Sequence, residues 1–172
     1  MPGSSSEGKA EALEMILELP RLHEAWPTIL DVGAGMGTWF DLLEPHLPEA
    51  HFTAVEIFEP YVERYKLRER YDTVIVGDIR ELIYTHPFDL VIFGDVLEHM
   101  TKAEAVRTVA MIPWRFALIS IPIVEYPQEG TDENPHEAHV ATWLAREVLD
   151  AFSCSKWWAG EQIGIFMLER GR

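Results

Sequence analysis

The sequence has one cysteine and no long apolar run. Cys154 alone cannot form an intrachain disulfide or a thiolate zinc cage, so the sequence predicts a reducing compartment, with the cytoplasm as the default location. No stretch approaches the roughly 20 apolar residues of a membrane-spanning helix. The N-terminus also lacks the basic start and apolar run of a signal peptide. These absences predict a soluble protein with no role in a membrane.

Positive charge is also scarce. The 172 residues include 14 Lys and Arg against 29 Asp and Glu, which gives a formal net charge of -15. Binding to nucleic acid or to an anionic membrane begins with a cationic surface that neutralises phosphates. The charge balance therefore argues against a nucleic-acid partner, although it leaves a local basic patch open.

The length and the apolar content fit one globular domain, since 48% of the residues are hydrophobic. Residues 2–8 are loop formers without an apolar anchor. We therefore predict a flexible tail over residues 1–9 and a single domain over residues 10–172.

From Thr28 onward, short β-rich apolar runs alternate with helical patterns, which predicts an α/β fold: a parallel sheet covered by helices on both faces. A ligand site is expected at the carboxyl ends of its strands. The predicted strands are 28–32, 51–56, 73–76, 88–93 and 116–121. The predicted helices are 10–25 with a break at Pro20, then 38–44, 60–70, 81–84, 96–112 and 140–151.

The last third of the chain has a different pattern. Two apolar runs, 153–158 and 162–169, flank Ala159-Gly160 and predict an antiparallel hairpin. Before them, residues 122–138 are rich in Pro, Gly and acidic residues. A loop of that length is uncommon in a compact domain unless it serves as a lid or a binding loop.

Three alternating glycines, Gly33, Gly35 and Gly37, follow the first predicted strand. Glycines allow a sharp turn and a close approach to a ligand, and the free amides of the next helix favour polar or anionic groups. The dinucleotide fingerprint would place its third glycine at position 38, where the chain has Thr38, so NAD is disfavoured. A strand-to-helix turn without a ligand is the structural alternative.

This spacing, preceded by Asp31, resembles the first motif of the class I S-adenosylmethionine-dependent methyltransferases, and the resemblance extends over about residues 27–121. It implies a three-layer, Rossmann-like fold with a seven-stranded sheet of order 3-2-1-4-5-7-6, in which only strand 7 is antiparallel. It also implies S-adenosylmethionine as the cofactor. By position, Asp31 would help to hold the cofactor's amino group, directly or through water, and the three glycines would pass beneath its methionine and ribose portions.

Two more acidic residues end the next predicted strands. Glu56, followed by Ile57, lies at about the offset where a carboxylate accepts hydrogen bonds from ribose hydroxyls. The resemblance implies that Asp78 contacts the adenine amino group while Ile79 packs on the ring. One acidic residue after a strand is usually a solvated cap, but three after three successive strands favour the cofactor interpretation.

Asp95, Glu98 and His99 follow the fourth predicted strand, where the resemblance places the meeting of methyl group and acceptor. His99 is a candidate base because an unperturbed imidazole has a pKa of about 6.5. A helix beginning near Asp95 would place these three side chains on one face. With His139 from the loop region, they are the candidate ligands of a divalent cation. Asp95, His99 and His139 are the candidate catalytic residues, and Asp95 is also a candidate cofactor contact.

The order of these residues, with a later His-x-x-His, resembles the metal site of small-RNA terminal 2′-O-methyltransferases, but ubiquinone-pathway O-methyltransferases carry a related Glu-His element. In metal-independent methyltransferases, Glu98 would cap a helix and His99 would line the pocket. For His136 and His139, a solvent-exposed lid or a helix cap is an equal alternative to a functional role. The aromatic residues Trp39, Tyr126 and Trp143 either shape an acceptor pocket or belong to the core.

The sequence therefore predicts methyl transfer from S-adenosylmethionine to an oxygen or nitrogen atom of a small-molecule acceptor. The loop over 122–139 or a partner subunit, as in a homodimer, would supply the missing wall of the acceptor site. One alternative is metal-assisted 2′-O-methylation of an RNA end, although the basic residues Arg64, Lys66, Arg68 and Arg70 lie on a helix remote from strand four. The other is a catalytically inactive, methyltransferase-like binding subunit.

Overall fold

Seven strands form one sheet in the computed structural model, which describes residues 5–23, 26–131 and 133–170. The sheet order is β3-β2-β1-β4-β5-β7-β6. Strands β1 to β5 pair in parallel, and β7 is antiparallel to both of its neighbours. The predicted fold class and strand order are thus confirmed. The strands are β1 Thr28–Val32, β2 His51–Glu56, β3 Thr73–Val76, β4 Phe88–Gly94, β5 Trp114–Pro122, β6 Cys154–Ala159 and β7 Ile163–Glu169.

Helices cover both faces of the sheet. Successive side chains of a strand point to opposite faces, and in β1 Ile29 joins one apolar core while Leu30 joins the other. The α-helices are α1 Lys9–Leu17, α2 Thr38–Leu43, α3 Glu59–Arg64, α4 Lys102–Met111 and α5 Ala145–Ala151. Short 3-10 turns occupy Pro20–His23, Leu67–Glu69, Leu97–His99 and Pro135–Glu137. Among the described residues, no helix is both long enough and apolar enough to cross a bilayer.

The predicted helix over 81–84 is wrong. The Asp78 carboxylate accepts the backbone N–H of Arg80 at 2.9 Å, which makes a local turn there. Such side-chain bonds compete with helix formation. After this turn the chain continues without regular structure towards β4.

Other predicted helices are shorter than expected. The one predicted over 96–112 divides into a 3-10 turn and α4, because Thr101 and Glu104 form a capping box that begins a new helix. The one predicted from 140 begins at Ala145, since the N–H groups of Val140 and Ala141 donate to the Glu98 carbonyl oxygen instead. The one predicted over 60–70 stops at Arg64 and gives way to a 3-10 turn.

The predicted tail includes residues 1–4, which lie outside the described residues. The Glu7 carboxylate accepts backbone N–H groups from the turn between β6 and β7. Lys9 begins α1 and is only 9% exposed. These contacts attach residues 7–9 to the sheet.

Candidate cofactor and acceptor site

A cavity of about 640 Å³ lies at the carboxyl ends of the parallel strands. It is bounded by the glycine loop, by the ends of β2, β3 and β4, and by the segment 134–140. Of the predicted site residues, all line the cavity except Asp31 and Gly37. The lining ones are Gly33, Gly35, Glu56, Ile57, Asp78, Ile79, Asp95, Glu98, His99 and His139.

The glycine loop turns through the left-handed region of backbone space. Gly33 has φ 68°, and a Cβ atom there would lie 2.5 Å from Val96 Cγ2. Gly35 has φ 53°, and its N–H donates to Glu56 Oε2 at 2.8 Å. The Arg70 guanidinium donates to the carbonyl oxygens of Met36 and Gly37 at 2.7 and 2.9 Å. These contacts fix the loop beside the cavity.

Glu56 is a buried carboxylate with spare capacity to accept hydrogen bonds. Its side chain is 4% exposed, and Oε1 accepts the Phe58 N–H at 2.9 Å while Oε2 accepts the Gly35 N–H. Burial raises its pKa, and these backbone N–H groups oppose that shift. A carboxylate has about four lone-pair sites, and the Ile57 N–H also acts on this one, so Glu56 keeps capacity to accept a hydrogen bond from a ligand hydroxyl.

Asp31 lies behind the cavity wall. It is 1% exposed, and its Oδ2 accepts the Tyr71 hydroxyl at 2.5 Å. Its Oδ1 has no hydrogen-bond partner among the described residues. Burial raises the pKa of Asp31 to about 7. In this structure the carboxyl is therefore a buried neighbour of the loop, separated from the cavity.

Asp78 and Ile79 form the edge of the cavity next to β3. Arg80 Nε donates to Asp78 Oδ1 at 2.9 Å, and hydrogen bonds from Arg80 lower the pKa of Asp78. Ile79 is 7% exposed and belongs to one of the two cores. This edge thus offers an ionised carboxylate beside an apolar side chain.

Asp95 follows β4 directly and has an unusual backbone conformation. Its φ is 55°, in the left-handed region, and its N–H donates to the Ser120 carbonyl oxygen at 2.8 Å. The expected helix from Asp95 does not form, so the predicted common helical face is wrong. Glu98 and His99 nevertheless lie close together on the 3-10 turn that follows.

Glu98, His99 and His139 bring one potential ligand atom each to within 4.8 Å of one another. Glu98 is 1% exposed, and neither carboxyl oxygen has a hydrogen-bond partner among the described residues. Burial, followed by the charge of Asp95, raises the pKa of Glu98 well above its usual range. Asp95, the fourth predicted ligand, is not part of this group.

Backbone carbonyls orient both imidazoles of this cluster. His99 Nδ1 lies 3.0 Å from the Ala138 oxygen, and His139 Nδ1 lies 2.6 Å from the Tyr126 oxygen. Because a carbonyl oxygen only accepts hydrogen bonds, each Nδ1 must carry the proton, which leaves the Nε2 lone pair of a neutral ring free. Burial lowers the pKa of His99, so its ring is neutral at neutral pH.

Residues 29–112 match a family described as a methyltransferase domain. The sheet order and the glycine loop agree with that match. This chain therefore contains a region similar to the methyltransferase-domain family, within a sheet that has the strand order of Rossmann-like methyltransferases. A search of the curated proteins found no match.

Solved structures share this fold. The N-terminal domain of EvdMO1 with S-adenosylhomocysteine bound is 15% identical with a TM-score of 0.65, and the match covers 98% of this chain and 83% of that one. Mitomycin 7-O-methyltransferase MmcR is 16% identical with a TM-score of 0.64, at 96% and 55% coverage. Coclaurine N-methyltransferase bound to N-methylheliamine and S-adenosylhomocysteine is 19% identical with a TM-score of 0.61, at 91% and 51%. The chain spans about half the length of several similar structures.

The loop between β5 and α5 forms one side of the cavity. The backbone N–H groups of Val140 and Ala141 donate to the Glu98 carbonyl oxygen at 2.8 and 3.0 Å. On the other side, the Tyr61 hydroxyl of α3 donates to the Glu137 carboxylate. Gln128 Nε2 donates to the Glu137 carbonyl oxygen at 2.7 Å. The loop is therefore attached at both sides of the cavity, as the lid interpretation requires.

The aromatic residues divide between cavity and core. Trp39 and Tyr126 line the cavity, whereas Trp143 is 2% exposed and packs against Phe152. Tyr61 also lines the cavity but was missed by the sequence reasoning, because it belongs to no motif. His136 lies in the lid and lines the cavity.

Proposed function

We propose that this domain transfers a methyl group from S-adenosylmethionine to an oxygen or nitrogen atom of a small-molecule acceptor. The observation that carries the proposal is one cavity with two chemically different ends. One end presents the glycine loop and the Glu56 carboxylate, and the other presents the neutral imidazole of His99.

The cavity fits the cofactor in size and chemistry. Small-molecule sites are commonly about 300–1,000 Å³, and this cavity has about 640 Å³. Glu56 would hold the two ribose hydroxyls, while Ile57, Asp78 and Ile79 would surround the adenine. When bound, S-adenosylmethionine supplies an electrophilic methyl group on a sulfonium. Two solved structures of the same fold hold S-adenosylhomocysteine, which supports this cofactor.

The chain's own contribution to the reaction would be positioning and proton transfer. Holding acceptor and donor together can supply much of the rate enhancement of a displacement reaction. His99 Nε2 would take the proton of the acceptor hydroxyl or ammonium as that oxygen or nitrogen becomes the nucleophile. The Ala138 carbonyl keeps the His99 ring in the tautomer that can accept this proton.

Calorimetry with S-adenosylhomocysteine, beside NAD, tests the cofactor. We expect S-adenosylhomocysteine alone to bind, and binding of NAD alone would overturn the assignment. Gly35→Val should abolish binding, because a β-branched residue is strained at φ 53°. Transfer of an isotope-labelled methyl group to a panel of small hydroxyl and amino compounds then tests the reaction. Transfer to any acceptor would exclude the inactive binding subunit.

His99→Ala separates chemistry from binding. We expect it to reduce labelled methyl transfer while affinity for S-adenosylhomocysteine stays nearly intact, since His99 lies at the acceptor end of the cavity. Glu69→Ala, an exposed site on a 3-10 turn, is the control. Equal loss of binding and transfer in His99→Ala would instead assign His99 to the scaffold.

A divalent cation at Glu98, His99 and His139 is the second candidate. The three potential ligand atoms lie within 4.8 Å of one another, which fits a small cation. One of them belongs to a buried carboxyl that has no hydrogen-bond partner among the described residues. A calorimetric titration with Mn²⁺ or Zn²⁺ should show binding that Glu98→Gln and His139→Ala remove. His46→Ala, at an exposed histidine, is the control. An absence of wild-type binding would leave Glu98 as a neutral buried acid and remove the basis for metal-assisted transfer.

The location and the assembly of the protein stay predictions. We propose a cytoplasmic enzyme because the sequence has a single cysteine, and a homodimer is the arrangement in which a partner would add to the acceptor site. Size-exclusion chromatography with light scattering tests the latter, and a monomer would leave the lid as the remaining wall.

A further inference from the structure

Residues 5–9, which we name the strap, run beside the cavity. Ser5 lines the cavity. The Glu7 carboxylate accepts the backbone N–H groups of Glu161, Gln162 and Ile163 at 2.6, 3.2 and 3.1 Å. Gln162 and Ile163 line the cavity as well. The strap is thus fastened to the turn between β6 and β7 at the cavity, outside the matched residues 29–112.

The strap ends in a buried ammonium group. Lys9 is 9% exposed, and its Nζ lies 3.8 Å from the centroid of the Trp39 ring. Asp95 and Asp31 attract this charge, whereas burial lowers the pKa of Lys9 to about 8. A buried charge costs several kcal/mol unless it is compensated. Here the compensation comes from the face of Trp39 and from Asp95, which both line the cavity, and from Asp31 behind the cavity wall.

Trp39 connects this ammonium to the end of β4. A Cβ atom at Gly94 would overlap the Trp39 indole, so the edge of the indole rests directly on the Gly94 backbone. The next residue is Asp95, with its left-handed backbone and its N–H bonded to the Ser120 carbonyl. Trp39 and Asp95 both line the cavity. A substitution of Lys9 would therefore alter the surroundings of two residues that line the cavity, although Lys9 itself does not line it.

We propose that Lys9 is a positioning residue, whose ammonium holds Trp39 and Asp95 in the arrangement that receives the charged amino-acid portion of the cofactor. The strap fixes Lys9 in this place through Glu7. This inference rests on the proposed function, because it assumes that the cofactor occupies the cavity beside the glycine loop.

Lys9→Met tests the role with a side chain of similar length and no charge. We expect affinity for S-adenosylhomocysteine to fall about tenfold by calorimetry, which corresponds to the loss of one charged contact. The thermal midpoint without ligand is measured beside it, so that weaker binding by a folded variant is distinguished from a loss of folding. Lys66→Met, at an exposed lysine, is the matched control and should leave both quantities unchanged.

A double-mutant cycle tests the connection to Asp95. If Lys9 acts through Asp95, Lys9→Met should weaken binding much less in an Asp95→Asn background than in the wild type. The indole N–H resonance of Trp39 can be assigned with Trp39→Phe. Its chemical shift in the ligand-free protein should differ between the wild type and Lys9→Met. Additive losses together with an unmoved Trp39 resonance would overturn the proposal.

The remaining outcomes distinguish the two proposals. If the wild type binds S-adenosylhomocysteine and Lys9→Met binds it equally well, the role of Lys9 is overturned and the proposed function stands. If the wild type does not bind it, the proposed function fails and the role of Lys9 fails with it. If Lys9→Met does not fold, Glu7→Ala decides, because it loosens the strap without removing the charge: weaker binding supports the proposal and unchanged binding overturns it.

Discussion

At the scale of single residues, Asp31 connects stability to pH. Its pKa rises from 3.8 to about 7, chiefly through burial. The folded protein therefore holds a proton that the unfolded chain releases, so this contribution to stability is present below pH 4 and lost as the pH rises through 7. Asp31→Asn keeps an oxygen that can accept the Tyr71 hydroxyl but cannot ionise. We expect it to stabilise the fold by on the order of 2 kcal/mol at pH 8 and much less at pH 5.

Thermal unfolding of the two proteins at pH 5 and pH 8 measures this effect. Asp150→Asn is the control, because that side chain is 73% exposed. A difference between wild type and Asp31→Asn that is the same at both pH values would show that Asp31 does not ionise in this range. The loss of one attraction to Lys9 reduces the gain at pH 8 without changing its sign.

Some of the residues at the site can be predicted from the sequence, and others cannot. Glu56 ends β2, and Asp78 and Asp95 come shortly after the ends of β3 and β4, so their convergence on one cavity follows from the topology of a parallel sheet. Lys9 and Tyr61 reach the same region through contacts distant in sequence, with Trp39 and Glu137. No local pattern marks such contacts, and sequence reasoning missed both residues.

At the scale of elements, the strands were easier to predict than the helices. The bounds of β1, β2 and β3 agree with prediction to the residue, because each is an apolar run that ends at a glycine or an acidic residue. The predicted helices were wrong at their ends, because side-chain caps determine where a helix begins. Thr101-x-x-Glu104 is a capping signal present in the sequence, and weighing it would have placed the start of α4 correctly.

The Tyr61 hydroxyl is one of the contacts that join the lid to α3. The Tyr61 hydroxyl donates to Glu137, and Tyr61 also packs edge-on against Phe58 and Tyr65. Tyr61→Phe keeps this packing and removes only the hydroxyl. We expect faster amide hydrogen exchange over residues 134–140 and a severalfold weaker affinity for S-adenosylhomocysteine, since one hydrogen bond to a charged group contributes about 1.5–3 kcal/mol. Both measurements are made on the full chain.

Tyr65→Phe is the matched control, because Tyr65 is a neighbouring tyrosine of which the structure describes a ring contact with Tyr61. It should leave exchange over the lid unchanged. Equal effects of the two substitutions would mean that the lid responds to the packing of α3 and not to the bond with Glu137. No effect of Tyr61→Phe would mean that the bonds to the Glu98 carbonyl are sufficient to hold the lid.

At the scale of the whole molecule, the basic residues of the α3 region are matched by acidic ones. Arg64 lies 3.6 Å from Glu133, Lys66 lies 3.4 Å from Glu69, and Arg68 lies 3.9 Å from Glu63. The last cation of the group, Arg70, pairs with Asp41. Exposed pairs of this kind add little stability, about 0–1 kcal/mol each, but they remove the local basic patch that the composition left open.

Because of this charge pattern, an RNA-binding assay tests the alternative function, methylation of an RNA end, directly. A protein that binds RNA through phosphates loses affinity steeply as salt rises, because counterions are released on binding. With a net charge of -15 and these cations already paired, we expect no measurable binding of single-stranded RNA by fluorescence anisotropy at about 50 mM salt. Binding that weakens with salt and is lost in Arg68→Ala would contradict this expectation and favour an RNA end as the acceptor. Binding without salt dependence would point to base contacts at the exposed aromatic ring of Tyr126, and Tyr126→Ala would then remove it.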